Sequence, residues 1–270
     1  MNVLKFIVII GIILLCWSFF VEPNWITIRH YKVPCKALSG LHAVFISDLH
    51  IKKNDVARVR RIVKLVNAQN PDIVLGGGDF ANGHSIKSTL DIEILGYELS
   101  KIKAPYGFYT VLGNHDWWTN GESLRRSLEK FGINVLENSS AAVHTGNGKY
   151  LYIVGLGDRD TREVKPEAAL KNTASPRILL THHPDVFYEV DEQVDLMLAG
   201  HTHGGQIFPF HYFTEIANDG VLAGFYNKNG VQMYVSRGTR YWGPPMRIFA
   251  PSEITVFNFS PAGKNDKPAA

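Results

Sequence analysis

The chain has 270 residues, of which 45% are hydrophobic and 20% charged, and this composition excludes an intrinsically disordered, collagen-like or coiled-coil protein. Its formal net charge of +3 is too small to indicate nucleic-acid binding, for which a clustered basic face is expected. Because there are only two cysteines, Cys16 and Cys35, a disulfide scaffold and an all-cysteine zinc site are also excluded. The 11 histidines instead indicate metal or acid–base chemistry.

The N-terminal segment differs in composition from the rest of the chain. From 3 to 21 the only charged residue is Lys5. A helix of this length spans roughly 28 Å, which is close to the thickness of a bilayer core. Trp17 and Trp25 stand near its far end, where interfacial aromatic residues are expected. The sequence therefore predicts a membrane anchor over 1–22.

Two other interpretations of this segment are less favoured. A cleaved signal peptide needs small residues at its cleavage site, and 19–23 offers none. A lipoprotein modified at Cys16 is disfavoured by the bulky Leu15 before it. The orientation stays open, because Lys5 lies on one side and basic residues follow on the other, and large domains translocate largely regardless of charge. Residues 23–40 are interpreted as a tether and the entry into the folded domain.

Between 41 and 260 short apolar runs alternate with amphipathic or polar stretches, which predicts one α/β domain. Strands are predicted at 43–47, 72–75, 107–112, 151–155, 178–181, 196–199, 232–236 and 253–258. The clearest helix is predicted over 55–69, where valines and an isoleucine recur every three or four residues opposite a basic face. Further helices are predicted at 90–102 and 122–131. The polar tail 261–270 is predicted to be disordered.

Metal-type ligands occur in five short segments, each placed where a predicted strand gives way to a loop. They are Asp48 with His50, Asp79 after three glycines, Asn114 with His115 and Asp116, His182 with His183, and His201 with His203. Side chains two apart on an extended chain point the same way and can converge on one ion. Each segment alone also fits a hydrogen-bonded structural residue. The five together predict a shared metal site.

This ordered set resembles the signature of the calcineurin-like metallophosphoesterases over about 41–259. Within that superfamily, the run 200–206 and the anchored N-terminus are similar to small membrane-anchored bacterial phosphodiesterases, some of which cleave the pyrophosphate of UDP-diacylglucosamine. The resemblance implies an α/β fold with two mixed β-sheets packed face to face and flanked by helices. It also implies a dinuclear metal site on loops at the strand ends, and we expect one N-terminal transmembrane helix before this domain.

The resemblance further implies seven ligands for two divalent ions, with Asp79 bridging them. The first ion would be bound by Asp48, His50, Asp79 and His203, and the second by Asp79, Asn114, His182 and His201. Mixed imidazole and oxygen ligation suits Mn, Fe, Zn, Co or Ni, and the sequence does not choose among them. Two such ions can activate a water to hydroxide and bind the phosphoryl oxygens.

His115 follows a ligand directly, and we assign it to protonation of the leaving group. The alternative is that it only supports Asn114. Asp116 either orients His115, lies exposed in a loop or caps a helix, while His183 supports a ligand or the fold. In the Ser/Thr protein phosphatases of the superfamily an acid and an arginine follow Gly-Asp. Here Asn82 replaces the acid and the arginine is missing, which disfavours that activity and leaves His115 without its acidic partner.

Two segments are predicted to contact substrate. Arg237 and Arg247 lie among turn-forming residues, and guanidinium groups suit phosphate, although structural ion pairs would also explain them. Aromatic residues after the last metal motif would meet acyl chains beside a bilayer or form a buried aromatic cluster, and these two interpretations stay open: Phe208, Phe210, Tyr212 and Phe213.

The sequence therefore predicts a membrane-anchored phosphodiesterase that hydrolyses a phosphodiester or pyrophosphate bond, in a lipid-linked substrate, by metal-activated hydroxide. The alternative is a membrane-associated binding module with a non-catalytic metal site. We expect a monomer in a bacterial inner or plasma membrane, with two divalent metal ions and no nucleic-acid partner.

Overall fold

The computed structural model describes residues 3–145, 150–190, 194–228 and 230–261. The predicted tail lies outside the described residues except for its first residue, Pro261. Two mixed β-sheets pack face to face, and helices cover their outer faces. The α/β architecture predicted from the resemblance is confirmed.

The first sheet has six strands within the described ranges, in the order β1-β12-β2-β3-β4-β5. Their bounds are β1 Ile26–Pro34, β12 Ser252–Ser260, β2 His42–Ile46, β3 Ile73–Gly76, β4 Phe108–Thr110 and β5 Asn134–Val135. Neighbouring strands are parallel except for the antiparallel pair β12 and β2. The parallel strands β2, β3 and β4 therefore deliver their following loops to one edge of this sheet.

The second sheet also has six strands in the part of the chain that the structure describes, in the order β10-β11-β9-β8-β7-β6. Their bounds are β6 Ser139–His144, β7 Tyr150–Gly155, β8 Arg177–Leu180, β9 Leu196–Ala199, β10 Gly224–Lys228 and β11 Val231–Val235. The four central strands are parallel, and the outer pairs β6–β7 and β10–β11 are antiparallel. Because β8 and β9 are parallel, their carboxyl ends lie at the same edge of the second sheet.

Among the described residues, six α-helices accompany the sheets. They are α1 Val3–Cys16, α2 Val56–Asn67, α3 Ile92–Leu99, α4 Asn114–Lys130, α5 Pro166–Leu170 and α6 His211–Ala217. The predicted helices at 55–69 and 90–102 correspond to α2 and α3. The helix predicted at 122–131 is the second half of α4, which begins at Asn114 and is interrupted by extended backbone at Asn120.

Side chains of one strand serve two different cores. In β2, Ala43 and Phe45 point into the core between the sheets, whereas Val44 and Ile46 pack with the outer helices. All four are buried. A strand that is covered on both faces has a continuous run of apolar residues in its sequence. The central strands are recognisable from the sequence for this reason. Four strands outside that pattern were missed, namely β1, β5, β6 and β10.

The interpretation of 23–40 as a tether needs correction. Residues 26–34 form β1, which pairs with β12 along its whole length, from Ile26 opposite Ser252 to Pro34 opposite Ser260. Its polar and basic residues face solvent at the sheet edge, so the strand lacks the continuous apolar run of the central strands. The chain therefore enters the sheet directly after the N-terminal helical segment.

The N-terminal segment is helical over Val3–Asn24, and among the described residues it is the one helix long and apolar enough to cross a membrane. No residue of α1 is buried. The far end of the segment is different, because Ser18 and Glu22 are buried against the folded domain. The Ser18 carbonyl accepts a hydrogen bond from the backbone N–H of Arg247 at 2.9 Å. The Glu22 carboxylate accepts one from the N–H of Ala250 at 2.7 Å.

Candidate metal centre and active site

The seven predicted ligands lie together in one cluster at the carboxyl ends of the parallel strands. Asp48 and His50 follow β2, Asp79 follows β3, Asn114 begins α4 after β4, His182 follows β8, and His201 and His203 follow β9. In open α/β sheets this edge is the usual place for ligands. The two sheets contribute loops from opposite sides, so the cluster lies where their edges meet.

One half of the cluster contains the residues predicted for the first ion. His50 Nε2 lies 3.1 Å from His203 Nε2 and 3.5 Å from Asp79 Oδ2. His203 Nε2 lies 3.6 Å from Asp48 Oδ1. All four side chains are buried. The ligand atoms of Asp48, His50 and His203 are close enough together to bind one ion.

The other half contains the residues predicted for the second ion. His182 Nε2 lies 3.2 Å from Asp79 Oδ2 and 3.1 Å from Asn114 Oδ1. His201 Nδ1 lies 3.3 Å from the same His182 nitrogen. Asp79 thus has one carboxylate oxygen within 3.5 Å of a histidine from each half. This is the position that a bridging ligand requires.

The backbone at the cluster adopts a conformation that side chains disfavour. The φ angle is positive at Asp48 (53°), His50 (40°), Asp79 (57°), His201 (72°) and His203 (53°). Residues other than glycine rarely enter this left-handed region, and such strain concentrates at functional sites. The backbone of these loops is therefore strained in the conformation that directs these five side chains into the cluster.

In each of two histidines, a hydrogen bond to a backbone carbonyl determines which ring nitrogen faces the cluster. His182 Nδ1 lies 2.7 Å from the Gly77 carbonyl, and His203 Nδ1 lies 2.8 Å from the Arg240 carbonyl. A nitrogen that donates to a carbonyl carries the hydrogen, so the neutral form of each ring has its lone pair on Nε2, which points to the cluster. Metal-binding histidines are typically oriented in this way.

The charges of the cluster suit a bound cation. Burial lowers the pKa of His50 well below its usual range and also lowers the pKa of His203, which favours the neutral form of both rings. Their Nε2 atoms lie 3.1 Å apart, which allows either a hydrogen bond between the rings or a shared cation, and the buried His50 Nδ1 makes no hydrogen bond within the described chain. Asp48 Oδ2 is buried and makes no hydrogen bond within the described chain. These observations fit divalent ions bound by imidazole and carboxylate groups.

Asp79 attracts positive charge to the centre of the cluster. Burial raises its pKa, but His182, His50 and His115 together lower it, and the pKa of Asp79 is held well below its usual range. Burial likewise opposes protonation of His182, yet Asp79 raises the pKa of His182 well above its usual range. A metal ion at this point would supply the same positive charge that the buried carboxylate requires.

Residues 41–205 match the family model described as calcineurin-like phosphoesterase. The chain belongs to this family. Metallophosphoesterases of the family use a dinuclear divalent metal site, and the Asp and His groups of this chain are placed to hold one. The resemblance inferred from the motifs is confirmed, and the identity of the metals is left open.

Two curated relatives support the assignment. An "uncharacterized metallophosphoesterase" of Helicobacter pylori J99 is 33% identical over 233 residues, which cover 82% of this chain and 60% of that protein. A "transmembrane protein with metallophosphoesterase domain" of Danio rerio is 34% identical over 241 residues, covering 83% and 54% of the two chains. The solved 5'-nucleotidase precursor of Thermus thermophilus aligns with a TM-score of 0.48 and 17% identity, covering 80% and 54%. This metallophosphoesterase chain thus spans little more than half the length of these curated relatives.

His115 lies beside the metal ligands with its ring orientation fixed. Its Nδ1 is 3.0 Å from the Asn82 backbone carbonyl, and its backbone N–H donates to Asp79 Oδ1 at 2.9 Å. His115 thus has the main-chain carbonyl of Asn82 as its partner in place of the acidic side chain found in the protein phosphatases. Burial lowers the pKa of His115 below its usual value, while Asp79 and the Asn82 carbonyl act in the opposite direction.

Asp116 organises the backbone of the site instead of orienting His115. Its carboxylate accepts hydrogen bonds from the backbone N–H groups of Asp79 (2.8 Å), Ala81 (2.8 Å) and Gly113 (3.1 Å). Burial and the charge of Asp79 raise its pKa to about 8. Three roles were considered for Asp116: orienting His115, lying exposed in a loop, or capping a helix. The capping role agrees best, because Asp116 accepts the hydrogen bond from Gly113, the residue directly before α4. Sequence reasoning missed that Asp116 also holds the Asp79 loop.

The two predicted substrate arginines differ in accessibility. Arg247 is fully buried, and its guanidinium donates to the carbonyls of His203, Arg240 and Ala250. It therefore binds backbone carbonyls, and the prediction that it contacts substrate is wrong. Arg237 keeps a partly exposed side chain, with Nη1 3.2 Å from the buried Glu253 carboxylate. Its contact with substrate stays a prediction.

His183 supports the second half of the metallophosphoesterase cluster. Its ring lies 3.8 Å from that of His201, measured between centroids, and its Nε2 lies 3.2 Å from Asp158 Oδ1. This arrangement agrees with the predicted supporting role. On the other side of the cluster, exposed aromatic rings surround His115, with Trp118 at 4.8 Å and Trp242 at 5.4 Å between centroids. They form an apolar wall where a leaving group would depart.

Gly83 offers a test of His115 that leaves the metal ligands in place. A Cβ at Gly83 would lie 1.9 Å from His115 Nδ1, so Gly83→Ala should displace the ring. We expect slower hydrolysis of diesters with poor leaving groups and unchanged metal content. The matched control is Gly40→Ala, because Gly40 has a similar φ of 89° but no atom within 4 Å of the added Cβ. Equal activity of the two variants would contradict a role for the His115 position.

Proposed function

We propose that this protein is a membrane-anchored, metal-dependent phosphodiesterase that cleaves a phosphodiester or pyrophosphate bond in a lipid-linked substrate. The observation that carries the proposal is the contact between the anchor and the metal cluster through Arg247. Its backbone N–H binds the Ser18 carbonyl at the end of the apolar helix, while its guanidinium binds the carbonyl of His203. A bilayer-spanning helix would thus hold the cluster beside the lipid headgroups.

The residues have distinct roles in the proposed reaction. The seven clustered Asp, Asn and His side chains would hold two divalent ions, which lower the pKa of a water and neutralise phosphoryl oxygens. His115 lies at the rim, where its Nε2 can donate a proton to the departing oxygen while Nδ1 stays bonded to Asn82. Trp118 and Trp242, whose ring centroids lie 4.8 Å and 5.4 Å from that of His115, would contact the leaving group there.

The alternative proposal, a binding module with a non-catalytic metal site, explains less. A module that only binds a ligand has no use for an oriented imidazole beside the ions. Hydrolysis of a chromogenic phosphodiester in the presence of Mn²⁺ separates the two, because the binding module would release no product. A parallel panel of phospholipid and nucleotide-sugar substrates would then identify the bond that is cleaved.

The anchor provides the test of the lipid-linked substrate. Removing 1–16 deletes α1 but keeps Ser18 and Glu22, whose contacts hold the loop 247–250. We expect unchanged hydrolysis of a soluble chromogenic diester and a strong loss of turnover for a substrate embedded in vesicles, because membrane confinement no longer raises the local substrate concentration. If the shortened protein processed embedded lipid as fast as the full chain, the proposal of a lipid-linked substrate would be wrong.

A further inference from the structure

A patch of large apolar side chains is exposed next to the point where the N-terminal helix meets the domain. It consists of Phe208, Phe210, Phe213, Ile216 and Phe249, and we call it the apolar patch. Phe213, Ile216 and Phe249 are 71%, 76% and 69% exposed. The alternative of a buried aromatic cluster is therefore wrong for this segment. Exposed apolar surface rimmed by polar residues typically marks a protein or membrane contact.

The side chains of the patch are held in position. The rings of Phe210 and Phe213 are stacked at 6.4 Å between centroids, and those of Phe208 and Phe249 meet edge to face at 5.8 Å. Phe213 and Ile216 lie three residues apart on α6, so they project from one face of the helix. The φ angle of Phe249 is 60°, which a side chain of this size rarely adopts. The backbone at Phe249 is therefore strained in the conformation that exposes its side chain.

The patch is continuous with the anchor. Phe249 lies between Arg247 and Ala250, whose N–H groups bind Ser18 and Glu22 at the end of the apolar segment. The loop of Phe249 is in turn bonded to that of Phe208, because the Phe208 N–H donates to the Ile248 carbonyl at 3.2 Å. One side of the loop therefore contacts the helix end, and the other side contacts the patch.

The level of the helix end in a bilayer follows from its aromatic residues. Trp17 and Trp25 lie 5.9 Å apart between ring centroids and are both exposed, as expected of residues at the boundary between headgroups and acyl chains. Every residue of α1 is exposed, which fits a helix that projects away from the domain. A bilayer crossed by α1 would end at the base of the helix, beside Phe249.

We infer that the apolar patch inserts into the bilayer interface and forms a second membrane attachment beside the transmembrane helix. The occupant is the lipid bilayer itself, because the patch continues from the segment that would enter it. Apolar side chains at this boundary bury their surface among acyl chains and restrict rotation of the domain about the helix. The inference rests on the membrane anchoring of the proposed function but not on the reaction.

The test uses the full chain, with Cys16→Ala and Cys35→Ala, in vesicles of phosphatidylethanolamine and phosphatidylglycerol. A nitroxide label is attached at Phe213→Cys, and a second preparation carries it at Ile216→Cys. Collision of the label with oxygen, which concentrates in lipid, is compared with collision with a water-soluble nickel chelate. The water-exposed control is Ala174→Cys, which precedes β8 at the end of the sheet opposite His182.

We expect the ratio of oxygen to nickel collisions at Phe213→Cys and Ile216→Cys to be several-fold higher than at Ala174→Cys. A ratio equal to that of Ala174→Cys would place the patch in water and overturn the inference. Low collision rates with both reagents would show that protein, such as a second copy of this chain, covers the patch, and this result would overturn it as well.

A label at Ile9→Cys separates this inference from the proposed function. If Ile9→Cys lies in lipid and Phe213→Cys in water, the anchor stands and the second attachment fails. If both labels lie in water, the anchor and the inference fail together. Hydrolysis of a soluble chromogenic diester by the same preparations tests the reaction separately, so labels in lipid without any hydrolysis would leave the membrane attachment intact while overturning the phosphodiesterase.

Discussion

Replacing Asp79 by Asn should abolish most of the proposed phosphodiesterase activity and remove metal from both halves of the cluster. Asp79 Oδ2 lies within reach of His50 and His182, so its charge serves both proposed ions. Loss of an outer-shell partner typically costs about 10–100-fold in affinity or activity, and we expect the loss of a shared ligand to exceed this range. Hydrolysis of a chromogenic diester and metal content by mass spectrometry are the two measurements.

The substitution Asp79→Asn keeps the shape of the side chain and an oxygen that can accept the hydrogen bond from the His115 N–H. Its matched control is Asp91→Asn, because Asp91 caps α3 at the surface and takes no part in the cluster. We expect the control to retain both activity and metal. Full metal content and wild-type activity in Asp79→Asn would contradict the dinuclear arrangement.

The metal cluster was predictable because its residues share a simple relation to the strands. Each ligand segment follows a buried strand, and the parallel strands end at one edge, so the order of the motifs along the chain is enough to bring the side chains together. The central strands themselves were recognisable from their apolar runs. The start of α4 was not, because Asn114 and His115 resemble a loop motif while their backbone forms the first helical turn.

The support of the site depends largely on the main chain, which side-chain patterns do not reveal. His115 binds the carbonyl of Asn82, His203 binds that of Arg240, and Arg247 binds several carbonyls at once. An arginine among glycines and prolines has the same sequence pattern whether it binds phosphate or backbone oxygen. Only its complete burial distinguishes the two roles.

Edge strands and surface aromatic residues show the limits of hydrophobic patterning in the same way. The polar edge strand β1 was interpreted as a tether because its sequence lacks an apolar run, although it pairs with β12 along its whole length and buries Ile26 and Val33. The aromatic residues of 208–213 were equally consistent with a core or a surface. Their exposure became evident only from the structure, in which the Phe208 N–H donates to the carbonyl of Ile248, a residue far away in the sequence.

His115→Ala should slow the reaction by about 10²–10⁴-fold for diesters with poor leaving groups, which is the typical effect of removing a general acid. Esters with good leaving groups, such as p-nitrophenol, need little protonation and should be slowed much less. Metal content should persist, because His115 is not among the seven proposed ligands. The measurement is kcat for a series of diesters of increasing leaving-group pKa, compared between wild type and variant.

The matched control for this series is His30→Ala, which removes an exposed histidine of the edge strand β1 and should leave every kcat unchanged. The dependence of kcat on leaving-group pKa distinguishes a proton donor at His115 from a residue that only supports Asn114. A residue that only supported Asn114 would, when removed, disturb the ligands and slow all esters alike, and metal would be lost with it. A steeper dependence of kcat on leaving-group pKa at full metal content is expected only if His115 delivers the proton, since the Asn82 carbonyl and Asp79 then hold the ring for that transfer.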